Sequence, residues 1–230
     1  MESIKKTKGG QRTIAVIPAY NEKRNIRKVV REAKKYVDAV IVVDDGSTDG
    51  TASEATAGGA NVIILPENRG VGFATRAGVN KAISSLNAER IVLIDADGQH
   101  PADRIPVLLS KLDGGFDIVF TARQFDSRMP LFKRFGNIFL TLVTNILSGI
   151  SISDSQCGFK AFTANAWKKI EPEQDGYEFC SEIVIKAGRA RLRWCEVPIK
   201  TIYNEKKGST GTRFTDGVAI FLRMLKFLKL

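Results

Sequence analysis

The chain has 230 residues with 35 Lys and Arg against 25 Asp and Glu, a net charge of +10 and a pI near 9.6. That length buries a full core and is most simply one domain over 1–230, while the charge asks for phosphates, an acidic membrane surface or nucleic acid as partner. Three cysteines, Cys157, Cys180 and Cys195, lack the paired spacing of a zinc site and fit a reduced cytosolic setting, and no run approaches the roughly 18 apolar residues of a membrane span.

Residues 13–17, TIAVI, read as a buried strand broken by Pro18, after which Asn21 can cap a charged helix over EKRNIRKVVREAKKYV. Pro18 and Asn21 also interrupt the first hydrophobic run too early for a signal peptide. A second strand, AVIVV, ends in Asp44 and Asp45. Either Asp45 and Ser47 cap the next helix, or the two acids meet a ligand. NVIILP at 61–66 is a weaker third strand, and ENRGVGFATRAGVNKAI opens a helix through Gly70 and Gly72, whose backbone amides could approach a phosphate.

The fourth strand lies in RIVLIDADGQHP, where an apolar run ends in Asp95 and Asp97 with Gln99 beyond. Residues two apart on a strand share a face, so an extended backbone through Gln99 would aim three oxygen donors at one cation, Mg2+ or Mn2+ by their hardness. The competing reading is a strand followed by a polar turn. FDIVFTAR at 116–123 is the fifth strand. Strands alternating with helices predict a doubly wound parallel sheet, in which every strand's C-terminal end faces one rim.

Beyond Arg123 the pattern changes. Arg128, Lys133 and Arg134 precede an apolar run from Ile138 to Leu147, which reads equally as an interface-plane helix or a core helix. Residues 150–170 include Asp154 and Gly158, and Glu182 sits in an apolar stretch where an acid is either paired, with Lys160 or Arg189, or functional. The tail VAIFLRMLKFLKL sets Arg223, Lys226 and Lys229 three apart, as on a surface-seeking amphipathic helix. The lone histidine, His100, reads as a supporting residue.

The succession IPAYNE, VVDDGSTDGT, ENRGVGFATRAG, DADGQHP, DSQCGFKAF and GYEFCSEI resembles glycosyltransferase family 2, in particular its dolichol-phosphate mannose and glucose synthases, from about residue 13 to 200. The resemblance implies an α/β GT-A fold, with a Rossmann-like, mostly parallel sheet flanked by helices and C-terminal amphipathic interface helices. It implies a nucleotide-sugar-binding half at 13–123, an acceptor-side half at 124–216 and a tail helix at 217–230. It implies inverting transfer of mannose or glucose from GDP-mannose or UDP-glucose to a polyprenyl or dolichyl phosphate, with Mg2+ or Mn2+, at the cytoplasmic membrane face. A membrane-protein partner is left open, and nucleic acid is not expected.

By position, the resemblance assigns Pro18, Tyr20, Glu22, Val43 and Asp45 to the base and ribose, and Asp95 with Ala96 to the nucleotide or sugar. Asp97 and Gln99 would ligate the metal, Arg123 would meet the donor phosphates or sugar, and Arg134 would clamp the acceptor phosphate. Glu182 would be an acid on the acceptor side. The stretch YNEKKGSTGTRF departs from the mannose synthases, whereas DSQCGFK leans toward the glucose synthases. Two alternatives stay open: transfer to a sugar hydroxyl with Glu182 or Glu178 as base, and a basic binding module without turnover.

Overall fold

The computed structural model describes residues 10–124 and 131–202, with the side chains of 131–133 outside the description. Five strands form where β-branched runs predict them: β1 (Thr13–Ala19), β2 (Ala39–Asp44), β3 (Asn61–Ile64), β4 (Arg90–Leu93) and β5 (Ile118–Arg123). Two more, β6 (Lys160–Thr163) and β7 (Trp194–Ile199), complete a seven-stranded sheet of order β3-β2-β1-β4-β6-β5-β7. β6 runs antiparallel to both of its neighbours, β4 and β5, and the other pairings are parallel. The expectation of one rim for every C-terminal end therefore needs correction at β6, whose first residue, Lys160, lies opposite Leu93 and Phe120 near that rim.

Alternation along the strands divides the core in two. Ala15, Ile17, Val40, Val42, Val92 and Val119 face α1 (Ile26–Ala33), α2 (Thr51–Gly58) and α4 (Ile105–Asp113). Ile14, Val16, Ile41, Val43, Ile91 and Phe120 face α3 (Val71–Leu86), α6 (Ala164–Ile170) and α7 (Phe179–Arg189). Burial of each such Ile or Val is worth about 1.5–3 kcal/mol, so both layers are bound tightly to the sheet. Close approach matters on the second face, where a Cβ on Gly78 of α3 would sit 2.5 Å from Val16 Cγ1.

Three local signals are overridden by pairing and packing. Pro18 does not break the first strand but pairs with Val43 inside β1, beyond Val16, where the ladder with β4 stops and no amide donor is needed on that side. Asn21 does not cap α1, which starts at Ile26 after Asn25. Nor does Ser47 cap α2, whose preceding residue is Gly50 at φ 89°, with Asp49 Oδ1 accepting from the Thr51 amide at 3.0 Å.

Between β5 and β6, α5 (Leu131–Ser148) packs along α7. Its inward face mixes Leu140, Val143 and Leu147, clustered with Ile185 of α7, with small polar residues, Thr144 Oγ1 donating to Ser181 Oγ at 3.1 Å and Gly188 of α7 admitting the Ser148 backbone. Its outward face is apolar, because Phe135, Ile138, Phe139, Leu142 and Ile146 are all exposed, Ile146 by 72%. The run expected to be either core or interface thus buries one face and exposes the other. No helix among the described residues is long and apolar enough to cross a membrane. Arg128, the YNEKKGSTGTRF stretch and the tail helix at 217–230 lie outside the described residues, as does the Lys133 side chain.

Candidate functional site

The rim is built from loops that tie one strand end to the next. Asn21, at φ 55°, donates its amide to Ser47 Oγ and accepts the Thr48 amide, so the loops after β1 and β2 are clasped reciprocally at 2.9 and 3.0 Å. The Glu22 amide reaches Thr51 Oγ1, and the Glu22 carbonyl accepts from both Asn25 and Ile26. Tyr20 is left exposed on this edge by 44%. Asp45 is buried, and its two oxygens accept the amides of Arg69 and Gly70 at 2.8 and 2.9 Å, fixing the loop that enters α3.

Beyond β4 the backbone does not stay extended. The strand ends at Leu93, a turn follows over Ala96–Asp97, and Gly98 adopts φ 73°. Asp97 Oδ1 accepts the Gln99 amide at 2.9 Å, so an Asx-type turn replaces the alternation expected from a strand. Asp95 and Asp97 are nonetheless brought together. Burial and the neighbouring Asp95 raise the Asp97 carboxyl above its ordinary range, against the pull of His100, the Gln99 amide and Arg123. Glu22 joins them: burial raises it first, and Asp97, Asp49 and Asp95 add to this against the Asn25 side chain.

The cluster has two cationic neighbours. Arg123, the last residue of β5, forms a two-pronged pair with buried Asp154, Nε to Oδ2 at 2.6 Å and Nη2 to Oδ1 at 3.0 Å. Burial works against its charge, but Asp154 holds the guanidinium firmly protonated with help from Asp95. His100 lies beneath, its Nδ1 3.6 Å from Asp95 Oδ2 and its ring stacked on Phe159 at 5.4 Å. Burial would neutralise it, but Asp95 and Cys157 outweigh that and hold its pKa at about 9. His100 is thus held between Asp95, Cys157 and the Phe159 ring.

Two assignments are corrected by packing. The amides of Gly72 and Phe73 are occupied by the Asp175 carbonyl, and a Cβ on Gly70 or Gly72 would overlap the backbone at 174–175. These glycines admit a neighbouring loop, not a phosphate. Glu182 is fully buried with its oxygens taken by the amides of Glu173 and Gln174 and by Lys186 Nζ at 2.9 Å. Its partner is therefore neither Lys160 nor Arg189, and its geometry is that of a structural acid that holds the 171–178 loop. Arg76 secures the same loop through the carbonyls of Pro172 and Gln174 and the Asp175 carboxylate.

Val43 and Ala96 point into the core, so a donor could meet them only through main chain. Pro18 is half-buried at the end of β1, and Arg134 is exposed on α5, away from the core. Gly158 has no role that its sequence position assigns, although the carboxylate of Asp95 occupies the space that a Cβ there would fill. A lone glycine between Cys157 and Phe159 is the available signal. Asp154 stands out in the sequence without its link to Arg123, because no spacing rule joins residues 31 apart.

Could such a rim hold a divalent cation? Its donors are hard oxygens, and the crowding that raises Glu22 and Asp97 is what a bound cation would relieve. Among the described residues no three His, Cys, Asp or Glu side chains are arranged to cage an ion alone. Asp97 and Gln99, with Asp95 beside them, would be a partial set that leaves coordination positions for phosphate and water, as magnesium usually requires.

A mostly parallel sheet with helices on both faces, whose rim gathers carboxylates beside an arginine clamp, is the architecture of a glycosyltransferase of the GT-A type. Residues 14–170 match the profile of Glycosyl transferase family 2, and the chain belongs to that family. It is 38% identical over 218 residues to an uncharacterised protein of Methanocaldococcus jannaschii, covering 91% of this chain and 89% of that one. It is 37% identical over 235 residues to the UDP-N-acetylglucosamine–dolichyl-phosphate N-acetylglucosaminyltransferase of Methanococcus voltae, covering 91% and 93%. Its fold is similar to that of glucosyl-3-phosphoglycerate synthase from Mycobacterium tuberculosis, crystallised with Mn2+, UDP and glucosyl-3-phosphoglycerate: TM-score 0.73, 20% identity, covering 95% of this chain and 79% of that one.

Proposed function

We propose that the protein transfers a single sugar from a nucleotide-sugar to a polyprenyl phosphate. The observation that carries this reading is the cluster of Glu22, Asp95 and Asp97 at the sheet rim, where mutual repulsion favours a cation and its diphosphate ligand. The like-sized Methanococcus voltae relative, which is named for a UDP-sugar donor and a dolichyl phosphate acceptor, supports the substrate classes. Among donors, UDP-N-acetylglucosamine therefore joins the mannose and glucose nucleotides that the motifs suggest.

In this reading Tyr20, exposed on the rim, lies beside the base, and Pro18, Val43 and Ala96 contribute main-chain surface. Asp45 reaches the donor indirectly, through the loop whose amides it holds. Asp97 and Gln99 would hold Mg2+ or Mn2+, which when bound supplies positive charge to the departing diphosphate. Asp154 keeps Arg123 charged and oriented toward the same region, because a bidentate pair fixes the guanidinium plane. A polyprenyl phosphate is already anionic and needs no strong base. This agrees with the full occupancy of Glu182 and argues against the sugar-hydroxyl alternative.

The apolar outer face of α5, with Arg134 at its start, supports contact with a membrane surface that presents the lipid. Arg134 remains the proposed clamp for the lipid phosphate. The deciding experiment is a panel of UDP-N-acetylglucosamine, UDP-glucose and GDP-mannose against a short polyprenyl phosphate, with Mn2+ or EDTA, reading lipid-linked sugar. Metal-dependent product from one donor is expected, and none from any donor refutes the reading.

A further inference from the structure

We propose that the ammonium of Lys160, together with the first turn of α7, forms a second recognition point for a substrate phosphate, separate from the carboxylate cluster. The inference concerns this chain's own residues and rests on the proposed function only for the identity of the phosphate's owner.

Lys160 opens β6 and is 1% exposed, yet its Nζ has no hydrogen-bond partner among the described residues. A desolvated ammonium is strongly unfavourable without an anion or a full set of acceptors. It faces the ring of Phe179, with Nζ 5.6 Å from the centroid, a cation–π contact that leaves the hydrogens of the ammonium without an acceptor. Phe179 is the first residue of α7, an 11-residue helix whose N-terminal end carries partial positive charge. The amides of Phe179 and Cys180 already donate to the carbonyls of Gly176 and Tyr177, so this end offers an anion its dipole, and the ammonium beside it supplies the hydrogen-bond donors. The acid of that first turn is not available, because Glu182 is committed to Lys186 and to the amides of 173 and 174.

The position is close to the acidic rim in the sheet. Lys160 pairs with Leu93, two residues before Asp95, and follows by two residues the Gly158 that admits the Asp95 carboxylate. The Cys180 thiol, adjacent to Phe179, is pushed up to about 11 by burial, while Lys160 and Arg123 pull it down and Asp95 pushes it up. One side chain thus senses both the acidic rim and the Lys160 charge. A phosphate at α7 would sit across from the Asp95–Asp97 edge, and helix N-termini are suited to such groups.

The test uses the whole chain and the substitution Lys160→Met, which keeps length and apolar packing against Phe179 while removing the charge. Binding of farnesyl phosphate and of UDP, each with Mn2+, is followed by thermal shift and by calorimetry. The expected result is an apparent Kd about tenfold weaker for one of the two probes, with the melting temperature of the unliganded variant equal to or above that of the wild type. A loss confined to farnesyl phosphate assigns Lys160 to the acceptor; a loss confined to UDP assigns it to the donor.

Unchanged affinity for both probes, or failure of the wild type to bind either, overturns the proposal. So does a lowered melting temperature with both affinities intact, which would make Lys160 a structural charge. If Lys160→Met does not fold, Lys160→Gln is judged by the same criteria. Binding of farnesyl phosphate by the wild type and its loss in the variant, without sugar transfer in the donor panel, would uphold Lys160 and reject the proposed reaction.

Discussion

The carboxylate of Asp95 rests against the backbone of Gly158, in the space any side chain at 158 would require. This contact couples the end of β4 to the start of β6, so the acidic edge depends on a residue 63 positions away in the chain.

Gly158→Ala is expected to displace Asp95 and to cost about 1–3 kcal/mol of stability by overpacking. Because misplacement of about 1 Å can cost on the order of 100-fold in rate, turnover should fall far more than the melting temperature suggests. Turnover within a factor of about two of wild type would show that the contact is incidental.

Asp97→Asn keeps the shape and the turn at Gln99 but removes a charge from the cluster. Metal-dependent transfer should fall on the order of 100-fold or more, while the unfolding midpoint holds or rises as repulsion with Asp95 and Glu22 is relieved. Retained Mn2+ dependence at full rate would remove Asp97 from the metal set.

Glu182→Ala leaves two amides of the 171–178 loop without their acceptor, while Lys186 keeps the Glu171 carbonyl and Glu173. A loss of about 1–3 kcal/mol for each orphaned amide is expected from denaturant titration. A variant as stable as wild type but inactive would restore Glu182 to the chemistry.

The raised carboxyls of Glu22 and Asp97 give the metal-free protein a definite pH response. The folded chain keeps these protons at pH values where the unfolded chain has lost them, so stability falls as pH rises from the ordinary carboxylate range through the raised values. Melting curves across that window should show a steeper decline in EDTA than in Mn2+. Equal declines would mean that no cation couples to these groups.

Leu142→Glu with Ile146→Glu places two charges on the exposed apolar face of α5 without touching its packing on α7. Flotation with anionic liposomes at low salt should drop several-fold, in keeping with the lost apolar contact. Undiminished flotation would assign any membrane contact to another surface.

The N-terminal half is legible in the sequence because β1, β2 and β4 are buried, β-branched runs bounded by Pro18 or by acids at 44, 45 and 95. β6 and β7 are not. KAFT is four residues long and begins with lysine, and WCEVPI contains an internal proline, so neither shows a period. At the site, Asp95, Asp97, Arg123 and Glu22 can be placed from their positions at strand ends. The neighbours of Gly70 and Gly72 cannot, because they depend on the 171–178 loop folding back onto α3 from about a hundred residues away, whereas Glu182 has a local partner, Lys186 at i+4, that its helix spacing could have supplied.

The reversed strand β6 has a practical consequence for redesign. Residues 20–25, 45–50 and 95–99 reach the rim from the N-terminal part of the chain, whereas 154–160 arrive through a separate segment entering the middle of the sheet from the opposite direction. Libraries could therefore vary Ser151, Ser153 and Gln156, polar residues of this segment that are not buried, while leaving Asp154, Gly158, the Phe159 stack and the N-terminal loops untouched. Selectivity on one side of the cleft could then be altered independently of grip on the other.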